Sequence, residues 1–156
     1  EGFVIPWLNF MWAMDPANMA VPAGEADVHH SHSASLDTFA QYFTGEPAPN
    51  GILVHSVFPH MHRLGRAINV SAVWEGGTEE ILVGVPNYDF EWQREYIFKE
   101  PVLFMPADQL KIDCWWDNSR EGRIERGVDP AEPQTVGWGE GTVDEMCVAV
   151  AYVTLP

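Results

Sequence analysis

No stretch of this chain holds an apolar stripe at i, i+3, i+4 and i+7 for three turns; short runs rich in Val, Ile, Phe and Trp recur instead between clusters of Gly, Pro, Asn and Asp. That pattern confines the chain to a fold made almost entirely of strands. The runs are MAVPAG with the following DVHHSHSASL, then GILVHSVF, RAINVSAVW, EILVGV, REYIFK, QLKIDCWW and EMCVAVAYVTL. Gly76-Gly77 in EGGTEE mark a hairpin between two of them, and Pro106 and Asp108 sit ahead of another. Seven or eight strands at this spacing predict an all-β, two-sheet sandwich. Residues 42–51 (YFTGEPAPNG) and 117–134 (DNSREGRIERGVDPAEPQ) lack strand character and read as loops.

The chain has 156 residues, enough for one well-buried domain, and 46% of them are hydrophobic, so a packed core is affordable. Eight Lys+Arg against 23 Asp+Glu leave a formal charge of −15, which excludes a phosphate-tracking nucleic-acid binder and a basic membrane-surface binder. The most apolar run, FVIPWLNFMWAM, is broken by Pro6 and Asn9 and falls short of the roughly 20 residues that a transmembrane helix needs. It reads as an edge strand on the same sandwich, with a docking arm as the alternative. The expected organisation is therefore an N-terminal strand or arm over residues 1–19 and a sandwich over 20–156. Beginning at Glu1, with no initiator Met and no signal-type segment, the sequence is expected to be a processed product or part of something longer.

Cys114 (KIDCWWD) and Cys147 (DEMCVAV) both lie in apolar, strand-like surroundings. They read equally as one disulfide or as two buried thiols.

The stretch HSVFPHMHRLGR, residues 55–66, carries the chain's most suggestive chemistry. On an extended backbone His60 and His62 point to one face and Met61 to the other. Pro59 before the pair and Gly65 after it place the pair at a strand end. Two imidazoles suit Zn, Cu, Fe or Ni, and a lone HxH also describes two solvated histidines. Of the other cluster, His30 and His32 share one face and His29 takes the opposite one; a polar outward face with one inward His is the reading here, not a second metal site. Met146 precedes Cys147. If the cysteines tie the last strand into the sheet, Met146 projects away from Cys147 and becomes a candidate third ligand whose thioether selects copper; otherwise it is a core methionine filling a gap. Asp144 and Glu145 read as outer-shell carboxylates or as solvated charges, and Arg63 and Arg66 as contacts to an acidic substrate or as local charge compensation. No Ser/His/Asp or GxSxG signal is present, and a zinc hydrolase would want a Glu or third His near the pair.

PHMHRLGR, NYDFEWQREYIF and TVGWGEGTVDEMC together resemble the C-terminal domain of the copper type II, ascorbate-dependent monooxygenases, the family of peptidylglycine α-hydroxylating monooxygenase and dopamine β-monooxygenase, and more closely its bacterial relatives. The resemblance runs from about Ala20 to Val153. It implies an eight-stranded antiparallel jelly-roll sandwich, a Cys114–Cys147 disulfide, and a single copper held by His60, His62 and Met146 at which dioxygen is activated to hydroxylate an aliphatic C–H group. It implies ascorbate or another external electron donor, a possible N-terminal copper domain or redox partner protein, and a secreted or periplasmic location. One departure bears on substrate. Where the peptide-amidating branch holds the substrate carboxylate with an Arg and a Tyr, this chain has Phe58 and Val150, so the expected substrate is a small molecule other than a peptide α-carboxylate. The alternative is a non-catalytic copper-binding or accessory subunit of a larger assembly, in which the apolar N-terminal segment docks.

Overall fold

The alternation that predicts strands also decides which side of each strand meets the core. In the computed structural model, which describes residues 2–129 and 131–156, strand β3 (Ile52–Met61) buries Ile52, Val54, Val57 and Met61 and leaves Leu53, His55, Phe58 and His60 half-buried on the other face. The alternation slips once, at a register shift between Val54 and Ser56. Glu1 and Pro130, on which the reading of the chain's start and part of the 117–134 loop fall, lie outside the described residues.

Among the described residues eight strands form two four-stranded sheets, and every strand-to-strand pairing within them is antiparallel. With β1 (Gly2–Trp7), β2 (Val28–Ser35), β4 (Gly65–Val73), β5 (Glu79–Val85), β6 (Tyr96–Phe104), β7 (Gln109–Trp116) and β8 (Cys147–Thr154), the orders are β1-β8-β3-β6 and β2-β7-β4-β5. Chain-adjacent strands thus alternate between sheets except at the hairpin β4-β5, which is the jelly-roll arrangement of two Greek keys. Trp7, Met61, Ile68, Phe104, Leu110, Ile112 and Trp116 fill the space between the sheets. Cys114 on β7 and Cys147 on β8 are fully buried and disulfide-bonded, their Cα atoms 6.0 Å apart, so the bridge pins one sheet to the other. The disulfide, not a pair of free thiols, is what the chain forms.

Several expectations change. MAVPAG is not a strand: Pro16–Met19 is a 3-10 turn, and Val21 makes only an isolated bridge to Val136. The 42–51 loop begins inside a helix, α2, Leu36–Thr44, which follows α1 (Phe10–Met14) in the chain. Ser35 Oγ accepts from the Asp37 N–H at 3.1 Å at its start, Gly45 closes it at φ 77°, and Leu36, Phe39 and Ala40 are buried at i, i+3 and i+4. A stripe of nine residues is too short for a three-turn criterion. The polar excursion also holds a short helix, α3 (Arg120–Glu125), capped by Ser119. The β2 histidines are disposed opposite to the expected count: His30 and His32 are both half-buried and His29 is the exposed one. The cause is α1 and β1, whose aromatic rings cover that face. Trp7 and Trp12 stand 5.9 and 6.0 Å from the His32 ring, and Trp12 stands 6.1 Å from His30. His29 instead stacks on Trp115 and bonds Asp113 at 2.8 Å.

Candidate metal centre

The site grows from the point where β3 runs out. Met61, the last residue of β3, turns inward, so His60 and His62 emerge together on the rim. The turn that follows is closed by the Gly65 N–H donating to the His62 carbonyl at 3.1 Å. A side chain at Gly65 would place Cβ 2.9 Å from Met61 Cβ and 3.0 Å from the Tyr88 ring, so only glycine lets the turn fold back. The Tyr88 hydroxyl clamps the strand end, accepting from Met61 N at 3.0 Å and donating to Met61 O at 2.7 Å; burial pushes its pKa up to about 12, so it stays a donor.

The ring centroids of His60 and His62 lie 5.1 Å apart with planes nearly perpendicular. Both rings bond through Nδ1. His60 Nδ1 meets Gln93 Oε1 at 2.7 Å, and Gln93 Nε2 donates to Phe90 O at 2.7 Å, which fixes the amide with its oxygen toward the imidazole. His62 Nδ1 lies 3.0 Å from the Asp144 carbonyl, which can only accept. In each ring Nδ1 is therefore the donor, and the neutral tautomer has its lone pair on Nε2. Burial lowers the His62 pKa, aided by neighbouring His60 and opposed by the Asp144 and Gly141 carbonyls and the Asp144 charge, so this imidazole is neutral at pH 7. Phe90 packs against both rings at 6.5 and 6.0 Å, and Phe58 lies nearly parallel to His60 at 6.4 Å.

Residues 144–147 deliver the distant part of the chain to this rim. Glu145, 1% exposed, accepts from His62 N at 3.1 Å, Leu64 N at 2.7 Å and Trp116 Nε1 at 2.8 Å. Burial pushes its pKa up to about 7 against the pull of those donors and of the Met146 N–H. It is thus no solvated charge. Asp144 contributes its carbonyl, not its carboxylate, which accepts from Gly141 N at 3.1 Å. Met146 is half-buried between Glu145, bonded to the His62 backbone, and Cys147, paired in register with Met61. Arg63 and Arg66 pair with Glu91 and Asp27, in keeping with charge compensation. Sequence reasoning missed Gln93 and Tyr88; both lie in NYDFEWQREYIF, a run noticed only as a whole.

A disulfide-pinned jelly roll with a pair of pre-oriented imidazoles at one rim defines the class of domain. This chain belongs to the family described as copper type II ascorbate-dependent monooxygenase, C-terminal domain, which it matches over residues 9–154. It is similar to DBH-like monooxygenase protein 1 of Mus musculus, 25% identical over 130 residues, covering 83% of this chain and 19% of the mouse protein. The same protein of Gallus gallus is 29% identical over 105 residues, covering 67% and 15%. DBH-like monooxygenase protein 2 of Mus musculus is 25% identical over 133 residues, covering 85% and 19%. The chain therefore spans about a fifth or less of the length of these relatives.

Proposed function

We propose that His60, His62 and Met146 hold one copper ion and that the domain is the oxygen-activating part of a monooxygenase that hydroxylates an aliphatic C–H group. The observation that carries this reading is the pair of Nδ1 hydrogen bonds, to Gln93 and to the Asp144 carbonyl, which leaves two Nε2 lone pairs on one rim. The donor set fits the ion. A thioether on the adjoining 144–147 segment, added to two imidazoles, makes a soft set that suits copper over zinc or magnesium. When bound, copper supplies the one-electron redox chemistry and dioxygen activation that no side chain provides.

The protein's own part is positioning and exclusion. Gln93 and the Asp144 carbonyl fix the two rings. Glu145 ties the His62 backbone and the start of β8 into one unit. Phe58 faces Val150 in register across β3 and β8, on the same outer face as His60. That wall has nothing to hold a carboxylate, so the substrate group that docks there is apolar and uncharged. Inserting one oxygen atom and releasing water takes two electrons and two protons. These come from ascorbate or another external donor, from a second copper domain of a longer protein, or from a redox partner protein. The disulfide suits an oxidising compartment, so the working location is secreted or periplasmic.

The test is copper stoichiometry with Cu(I) competition. One equivalent per chain is expected, with Met146→Ile weakening Cu(I) by about tenfold or more while the circular dichroism spectrum is kept. Unchanged Cu(I) affinity in that variant would refute the ligand set.

A further inference from the structure

Beside the histidine rim, and sharing Phe90 with it, lies a cleft of about 460 Å³ lined by Arg63, Arg66 and Arg126. Three of the chain's eight basic residues converge there, although the molecule as a whole carries −15. The volume lies in the usual small-molecule range.

The charge of Arg126 is the central point. Its Nε donates to the Gly65 carbonyl at 3.1 Å and its Nη1 to the Gly122 carbonyl at 3.1 Å, and among the described residues it makes no ion pair. Two carbonyls hold the guanidinium in place without neutralising it. Arg66 reaches Asp27 through Nη2 alone, and its Nε is buried with no hydrogen-bond partner. Arg63 lies over the Phe90 ring at 5.7 Å and reaches Glu91 at 3.4 Å. Asp89, Glu91 and Glu125 line the cleft too and match the three arginines in number, but all three are exposed, whereas Arg66 and Arg126 are half-buried. Asp27 and Glu91 are 74% and 76% exposed, where ion pairs are weak and readily exchanged. Asp89 accepts from the Glu91 N–H at 2.9 Å, and its carboxylate, like that of Glu125, is exposed to water.

Guanidinium forks match planar anions with two oxygens. We propose that this cleft binds a small organic oxyanion, a carboxylate or an enediolate, with Arg126 and Arg66 as its principal partners. The overall negative field favours a small monoanion over a polyanion.

The test is made on metal-free protein, so it stands apart from the copper reading. Lactate, ascorbate kept reduced under anaerobic conditions, and sulfate are titrated at low salt while the arginine Nε–Hε resonances are followed by NMR. Saturable shifts at Arg126 and Arg66 are expected with lactate or ascorbate. Response to ascorbate alone assigns the enediolate, and response to lactate assigns the carboxylate. Arg126→Gln should weaken binding about tenfold or more and Arg126→Lys by less, because the charge stays while the fork is lost. Lys99→Gln, outside the cleft, should leave it unchanged. Response to sulfate alone, no saturation below about 50 mM, or full binding in a folded Arg126→Gln protein would each overturn the proposal.

Discussion

Replacing both cysteines by alanine removes the only covalent tie between the sheets among the described residues, and the cost can be worked from the topology. The bridge closes a loop with a sequence separation of 33, for which the chain-entropy relation gives about 3.7 kcal/mol at 25 °C. For a domain of this size that corresponds to about 7–15 °C in Tm. Both positions are fully buried, so the Cys114→Ala/Cys147→Ala variant also loses the packing of two sulfur atoms. Comparing it with reduced wild-type protein, which keeps both side chains, separates the two contributions. Urea titrations of the oxidised, reduced and double-alanine proteins measure all three. The reduced protein should lose about 3–4 kcal/mol, and the variant somewhat more. A loss below about 1 kcal/mol in both would mean that sheet packing alone fixes β8 against β7, and the inference that the bridge positions Met146 would go with it.

Three further outcomes follow from the rim and the second sheet. Glu145→Ala strands the Leu64, His62 and Trp116 donors in the interior, so urea unfolding should show a loss of about 3 kcal/mol or more; Glu145→Gln, which keeps one acceptor oxygen, should lose less. Gln93→Leu removes the acceptor from His60 Nδ1, so under the copper reading Cu(I) affinity should fall about tenfold or more without a change in Tm, and wild-type affinity would discount the orienting role. On β7, burial raises the Asp113 pKa, but hydrogen bonds from Lys111, His29 and Ser31 outweigh it and hold the pKa below the ordinary 3.8. A depressed folded-state pKa contributes stability that is present above pH 3.8 and is lost as pH falls through the folded value. Asp113→Asn should therefore flatten the acid limb of a pH–stability curve, and an unchanged limb would rule Asp113 out as its source.

The sandwich was legible wherever side chains alternate against one core. Strands β3, β4, β5, β7 and β8 fall where the Val- and Ile-rich runs lie. The misses have local causes. Helix α2 needs only three buried positions, Leu36, Phe39 and Ala40, because β2 and the aromatic N-terminal segment complete its packing; so short an apolar set gives little periodic signal. The MAVPAG run has the composition of a strand but contains Pro22 and follows the 3-10 turn that starts at Pro16, and among the described residues its one ladder partner is Val136. His30 and His32 were misjudged because solvation of one face depends on what covers it. Trp12, in a different element, does the covering.

The candidate site was legible only in its two imidazoles, since a spacing of two on a strand is a local property and their support is not. The last register pair between β3 and β8 is Met61 with Cys147, so the N–H groups of His62 and Leu64 lie beyond the ladder. Buried backbone donors there must find an acceptor. The residue two positions before Cys147 supplies it: the Glu145 carboxylate takes both N–H groups, at 3.1 and 2.7 Å, and extends the pairing by a side chain where the strand has stopped. That arrangement explains why an acidic residue that reads as solvated is almost wholly buried, and why burial raises its pKa without expelling it. It also fixes Met146, the one residue between this carboxylate and the disulfide, from both sides. The same carboxylate therefore closes the sheet and fixes the backbone on either side of the residue proposed as the thioether ligand, a coupling that becomes visible only once the register is known.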